Sequence, residues 1–237
     1  MLYAPFEAAR RDVVLEQVFG EENPDGVSTH ECDIGSEPSV QEAFSKIGSS
    51  LPAGVYPSIL INAAGFCSVK PMEDTTAEDA MKNIIPNLMG PFNTSRAFFH
   101  LFREHANQGS TGSVGSTSSA PGRIVNISSQ ASHVALDGHS AYCASKAGLN
   151  GLTRCMANEW GPHGITSNTV SPTVALTELG KKAWADEAKR AAHLAEIPMR
   201  RFLEPFEVAE AIEFLCRDNS GMINGADLRL DGGFTIR

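Results

Sequence analysis

Apolar positions along the chain come in two textures: short continuous runs, and longer stretches in which they recur every three or four residues. The runs at 27–34, 58–61, 123–127, 166–170 and 226–230 have strand length. Ser58-Ile59-Leu60-Ile61, closed by the small-residue turn Asn62-Ala63-Ala64-Gly65, predicts a strand buried on both faces. The helical stretches cover residues 5–19, 39–47, 76–105, 141–160, a segment beyond Pro172 to about Leu194, and 205–216. Pro86 and Gly90 interrupt the third of these, Gly161-Pro162 stops the fourth, and Pro205 suits the first turn of the last. Strands alternating with helices of this length need crossover connections, and so predict parallel pairing. The expected class is α/β, a doubly wound parallel sheet in a single domain over residues 1–237.

Residues 108–122 fit neither texture. They are almost entirely Gly, Ser, Thr, Ala and Pro, which cannot bury apolar surface, and are expected to form a flexible surface insertion.

Composition narrows the class of function. A chain of 237 residues with 42% hydrophobic content can bury one sizeable core. Its net charge of -9 lacks the clustered Lys and Arg that phosphate neutralisation requires, so no nucleic-acid partner is expected. No stretch is apolar enough to export or anchor it, so no membrane partner is expected either. The five cysteines are odd in number and widely spaced with no C-x-x-C pair, a pattern of reduced thiols in a cytoplasmic protein, with no disulfide and no metal. The N-x-S sequons at Asn93 and Asn126 carry no glycan on this reading.

Candidate chemistry centres on Tyr142 and Lys146, four apart in a helical stretch and therefore on one face. An ordinary phenol, with a pKa of about 10, is a poor acid and base near neutrality, and a neighbouring ammonium is expected to lower that value. Ser129, thirteen residues before Tyr142 and just past a strand, is placed to hydrogen-bond a carbonyl oxygen while Tyr142 delivers the proton. Taken singly, each residue has a plainer reading: an exposed Tyr–Lys pair, a strand-end cap at Ser129, a turn former at Asp33.

Together, I-V-N-I-S-S from Ile124, Y-C-A-S-K from Tyr142 and N-T-V-S-P from Asn168 resemble the short-chain dehydrogenase/reductase family in motif, order and separation. The resemblance runs from about Val27 to the C-terminus. It implies a Rossmann-like fold and an NAD(P)(H)-dependent oxidoreductase that interconverts a carbonyl and a secondary alcohol. Tyr142 would be acid and base, Ser129 would orient the oxygen, Lys146 would tune Tyr142 and hold ribose, and Asn87 would order a water as proton relay. Cofactor contacts would come from Asp33 and Ile34, from Asn62, Ala63, Ala64 and Gly65, from Tyr142 and Lys146, and from Pro172, Val174 and Thr177. S-S-Q-A-S from Ser128 and S-P-T-V-A-L-T from Ser171 look like the dicarbonyl/L-xylulose reductase branch. That implies a small sugar, polyol or dicarbonyl substrate lined by Ser129, Gln130, His139 and Tyr142, NADP(H) ahead of NAD(H), and a homo-oligomer, tetrameric by resemblance.

One departure stands out. Members of the family open with a strand, a T-G-x-x-x-G-x-G turn and a helix that hold the pyrophosphate; this sequence has no such turn. Gly109, Gly112 and Gly115 share the spacing but lack a strand before and a helix after. The expectation is a chain without the first strand, Gly-rich loop and first helix, leaving the strand at 58–61 as a sheet edge. A 3-oxoacyl-carrier-protein-type reductase, and a catalytically dead remnant acting as a binding or oligomerisation module, are the alternatives.

Overall fold

A computed structural model describes residues 16, 20, 25–52, 55–108 and 121–236. Its centre is a four-stranded sheet of β1 (Ile59–Asn62), β2 (Gly122–Ile127), β3 (Ile165–Pro172) and β4 (Asp227–Leu230), all parallel and in chain order. The helices are α1 (Glu37–Ser50), α2 (Ala77–Ile84), α3 (Gly90–Gln108), α4 (Ser140–Trp160), α5 (Glu178–Ala183), α6 (Glu187–Glu196) and α7 (Pro205–Cys216). This is the expected α/β class with parallel pairing.

Pleating explains why both faces are covered. Ile124 and Val125 are adjacent in β2 and point to opposite sides. Ile124 joins Phe98, Phe102 and Ile165, with Phe44 and Trp160 against them. Val125 joins Val170, Ala211 and Leu215 from β3 and α7.

β3 is polar in sequence yet buried through seven of its eight residues. Thr166 Oγ1 and Ser167 Oγ are buried without a partner, but further along the strand the neighbouring segment satisfies the side chains: Asn168 donates to the Ile223 carbonyl at 2.8 Å and accepts from the Ala226 N–H at 2.9 Å. Ser171 donates to Asp227 at 2.5 Å. Burial at these positions rests on paired polar groups rather than on hydrophobicity.

Four expectations need correction. The strand expected at 27–34 does not form: among the described residues no segment lies alongside to complete a ladder, and a strand exists only by pairing. The 58–61 strand is not buried on both faces, since Ile59 and Ile61 at the sheet edge are 47% and 46% exposed. The helix expected over 76–105 divides at a π turn, Ile85–Met89, because Pro86 supplies no N–H to the ladder. The stretch after Pro172 divides into α5 and α6, because Thr177 and Asp186 each cap a new start by accepting from Gly180 and Lys189 N–H groups. The helix expected over 5–19 falls outside the described residues except for Glu16, and the 108–122 insertion falls outside them except at its ends.

Candidate active site

The site assembles where β1 and β2 end and α4 begins. β2 delivers Ser129, which caps the short helical turn Gln130–Ser132 by accepting from the Ala131 N–H at 3.2 Å. α4 delivers Tyr142 and Lys146 from its first turns. The Ser129 side chain lies within reach of the Tyr142 hydroxyl, where it favours the phenolate. Lys146 reaches back beneath the tyrosine: its Nζ donates to the Ile127 carbonyl at 2.7 Å and lies 5.8 Å from the Tyr142 ring centre.

The electrostatics differ from expectation at Tyr142. Its pKa is not lowered but pushed up to about 12, chiefly by burial, against which the Ser129 side chain works in the opposite sense. The Lys146 ammonium is spent on a backbone carbonyl rather than on the phenol oxygen. Burial also brings Lys146 down to about 8. At neutral pH the pair is therefore a protonated phenol beside a largely charged ammonium.

Asn87 sits in the π turn, fully buried, a setting common at functional positions. Its amide clamps Phe66, accepting from the N–H and donating to the carbonyl at 2.7 Å each, and also donates to Ser145 Oγ at 3.0 Å. Ser145 in turn donates to the Tyr142 carbonyl at 2.7 Å. The side chain thus fixes the loop after β1 against α4. Between them lies Gly65: a Cβ there would stand 3.0 Å from Asn87 Oδ1 and 3.6 Å from Lys146 Nζ, so only glycine leaves this approach open.

Other candidate residues fall into distinct places. Gln130 is buried, and its Oε1 has no hydrogen-bond partner, an acceptor waiting for a donor. His139 meets Tyr142 edge-on, with ring centres 6.3 Å apart, and bonds the Asp137 carbonyl at 2.6 Å. Asp33 lines a cavity of about 560 Å³ with Gly35, Phe66, Met81, Ile85 and Pro86. Ala63 and Ala64 are exposed at the end of β1.

Two residues do not face this space through their side chains. Ile34 packs on α3, where a Cβ at Gly90 would stand 2.5 Å from Ile34 Cδ1. Asn62 is consumed by a buried network, donating to Ser95 Oγ and Asn126 Oδ1 and accepting from Thr94 Oγ1. Pro172 closes β3, and Val174 and Thr177 follow it in a segment held by backbone bonds linking 173–176 to Leu203 and Leu230, with Thr177 Oγ1 capping α5.

Asn83 was missed by the sequence reading. It lies one helical turn before Asn87 and repeats its clamp one step along the loop, accepting from the Ser68 N–H at 3.2 Å and donating to Ser68 Oγ at 2.8 Å. The signal was present, two asparagines four apart on one face.

A fold of parallel strands with this Ser–Tyr–Lys geometry defines a class of oxidoreductase. A family model described as Enoyl-(Acyl carrier protein) reductase matches residues 9–235. The chain belongs to the short-chain dehydrogenase/reductase family, whose members are NAD(P)-dependent oxidoreductases. It is 41% identical over 206 residues to a D-threitol dehydrogenase of Mycolicibacterium smegmatis, covering 87% of this chain and 72% of that protein. It is 37% identical to an NAD-dependent glycerol dehydrogenase of Listeria innocua, covering 94% and 81%, and 38% identical to an L-xylulose reductase of Caenorhabditis elegans, covering 74% and 65%. A gluconate 5-dehydrogenase from Burkholderia cenocepacia, solved in complex with NADP and tartrate, superposes with a TM-score of 0.74 at 28% identity, covering 86% of this chain and 74% of that one.

The residues fit a dinucleotide at its two ends. The cavity beside Asp33 offers Phe66, Met81, Ile85 and Pro86 to a flat ring, with the charged Glu78 and Lys82 also in its lining, and the gap at Gly65 opens onto the Lys146 ammonium. No Gly-rich strand-to-helix turn occurs in the sequence for the pyrophosphate.

Proposed function

We propose that this protein interconverts a small ketose or dicarbonyl and the corresponding secondary alcohol, with NADP(H) ahead of NAD(H) as coenzyme. The observation that carries the reading is the convergence of Ser129, just past β2, with Tyr142 and with Lys146 one turn further along α4, its Nζ 5.8 Å from the Tyr142 ring centre. Relatives named for threitol, glycerol and L-xylulose support the substrate class, and the gluconate 5-dehydrogenase solved with NADP supports the coenzyme, beside a glycerol dehydrogenase named as NAD-dependent.

The coenzyme, when bound, supplies or accepts hydride at the reacting carbon. Every other step belongs to the chain. Ser129 donates a hydrogen bond to the carbonyl oxygen, and Tyr142, protonated at neutral pH, transfers its proton to that oxygen in reduction and takes it back in oxidation. The Lys146 ammonium stabilises charge developing on the phenol and binds ribose hydroxyls through the opening at Gly65. Asn87 and Ser145 hold helix α4 and the Gly65–Phe66 turn in register. Gln130 Oε1, buried without a partner, accepts from a substrate hydroxyl, and His139 borders the same space. Asp33 and the cavity beside it receive the adenine, while Pro172, Val174 and Thr177 border the nicotinamide.

Among the described residues no helix is long and apolar enough to cross a membrane, and the five cysteines are free thiols, which accords with a cytoplasmic site of action. A homo-oligomer forms through α3 and α4, whose outer faces border a hollow of about 300 Å³ lined by Phe92, Leu152, Met156 and Trp160; light scattering tests this.

A second reading, reduction of an acyl thioester on a carrier protein, is favoured by the description of the matching family model. Steady-state assays with NADPH and NADH on L-xylulose, erythrulose, diacetyl and an acetoacetyl thioester separate the two. Turnover of the small carbonyls is expected; turnover confined to the thioester overturns the first reading in favour of the second, and no turnover on any overturns both.

A further inference from the structure

We propose that His133 and Asp227 are a positioning pair: the hydrogen bond between them fixes the helical turn that carries Ser129 and Gln130, and so sets the preference for carbonyl substrates that bear a neighbouring hydroxyl. The inference rests on the reading of Ser129 as partner of the carbonyl oxygen and of Gln130 as acceptor for a substrate hydroxyl. Ser129 and His133 are the two ends of the short turn Gln130–Ser132. Ser129 caps its start, and the His133 N–H closes it on the Gln130 carbonyl at 3.0 Å. Internal bonds in so short a turn have poor geometry, so its placement depends on what grips it from outside.

Two contacts do so. From α4, Asn150 donates to Ser132 Oγ at 3.0 Å, and Ser132 Oγ donates to the Ser129 carbonyl at 2.7 Å. Asn150 lies one turn beyond Lys146, on the helix face that also carries Tyr142. From β4, Asp227 Oδ2 meets His133 Nε2 at 2.6 Å, joining segments 94 residues apart. The other oxygen of Asp227 accepts from the Thr169 and Ser171 hydroxyls. Those two residues share a face of β3 with Ile165, the face packed against α3 and α4. A carboxylate engaged at both oxygens is itself held in place, and the His133 and Asp227 side chains are only 30% and 18% exposed. With its Nε2 committed to Asp227, His133 acts on the reaction through the turn.

The two ends of the turn are not equally dependent on this anchor. The Ser129 carbonyl is held by the Ser132 N–H and hydroxyl, which Asn150 supports, whereas the Gln130 carbonyl is held by the His133 N–H. Loss of the His133 anchor therefore shifts Gln130 more than Ser129. Ser129 serves the oxygen common to every carbonyl substrate; Gln130 Oε1, buried without a partner, serves those with a hydroxyl to donate.

The test compares reduction by NADPH of L-xylulose, a hydroxylated ketose, with that of diacetyl, which has no hydroxyl. For His133→Ala, kcat/KM on L-xylulose relative to diacetyl is expected to fall about tenfold, inside the roughly 10²-fold that a displacement of about 1 Å costs. His133→Gln keeps a donor of similar reach and is expected to recover most of the ratio. In a Gln130→Ala background, His133→Ala is expected to leave the ratio unchanged, a non-additivity that a merely structural role does not produce. Thermal melting checks that each variant folds; should His133→Ala not fold, His133→Phe, which keeps a ring without the nitrogen, decides on the same ratio. A ratio unchanged in every folded variant, or an equal fall on both substrates, overturns the positioning role and leaves the proposed function standing. A wild-type enzyme inactive on L-xylulose overturns the inference, and one inactive on diacetyl as well overturns the proposed function with it. Where L-xylulose alone turns over, its kcat/KM in the two backgrounds decides.

Discussion

Replacing Lys146 with Met separates the energetic cost of the buried ammonium from the chemistry it serves. Lys146 is 4% exposed, and burial brings its pKa from 10.5 to about 8. At about 1.4 kcal/mol per pH unit, that drop corresponds to roughly 3 kcal/mol disfavouring the charged form in the folded state. The bond to the Ile127 carbonyl offsets it, since a charged hydrogen bond contributes about 1.5–3 kcal/mol. Lys146→Met keeps the length of the stem and removes both contributions, so stability near neutral pH should change little while activity is lost. The two proteins part company in alkali. Between pH 8 and 10.5 the unfolded chain holds a proton at Lys146 that the folded chain has released, so wild-type stability rises across that window. Below pH 8 both states are charged and the cost is present in full; above 10.5 both are neutral and it is gone. Tyr142 titrates higher and is common to both proteins. Urea unfolding at either end of the window should show wild type gaining up to about 3 kcal/mol relative to Lys146→Met. A stability difference that stays flat from pH 8 to 10.5 would refute the buried-ammonium account.

Three further outcomes follow from the same geometry. Because Tyr142 keeps its proton to about pH 12 and Lys146 its charge to about pH 8, kcat/KM for reduction should be level below pH 8 and fall above it, whereas oxidation should climb toward pH 8 and then level off; the same profile in both directions contradicts the assignment. Asn83→Ala leaves the Ser68 N–H and hydroxyl without their partner, so a loss of about 1–3 kcal/mol in urea unfolding is expected, with a raised KM; a variant as stable as wild type refutes the clamp. Gly65→Ala brings a methyl to 3.0 Å from Asn87 Oδ1, which cannot retreat without breaking its bonds to Phe66, and coenzyme affinity measured by Trp fluorescence should weaken.

What could be read from the sequence was whatever is local. The parallel class followed from the alternation of runs and helical stretches, and α4 from its periodicity and the Gly161-Pro162 stop. Tyr142 and Lys146 were visible because a helix fixes the distance between i and i+4. Properties that depend on partners far along the chain were not legible. Whether Val27 to Ile34 pairs depends on a neighbouring strand, not on its own residues. Pro86 was visible as an interruption, but that the break takes the form of a π turn with Asn87 buried in it was not. The shift at Tyr142 was read with the wrong sign because sequence spacing reveals a neighbouring charge but not burial, and burial dominates. Polar β3 was legible as a strand, yet its near-complete burial depends on Asn224 and Asp227, more than fifty residues away.

The central claim is that the Tyr142 hydroxyl is the proton donor to the substrate oxygen. Its most direct test is Tyr142→Phe, which keeps the ring and removes only the oxygen, assayed for reduction of L-xylulose and diacetyl alongside NADPH binding by fluorescence. The account predicts coenzyme binding close to wild type and kcat lower by about 10²- to 10⁴-fold, the range for loss of a general acid. Turnover within a few-fold of wild type would contradict it.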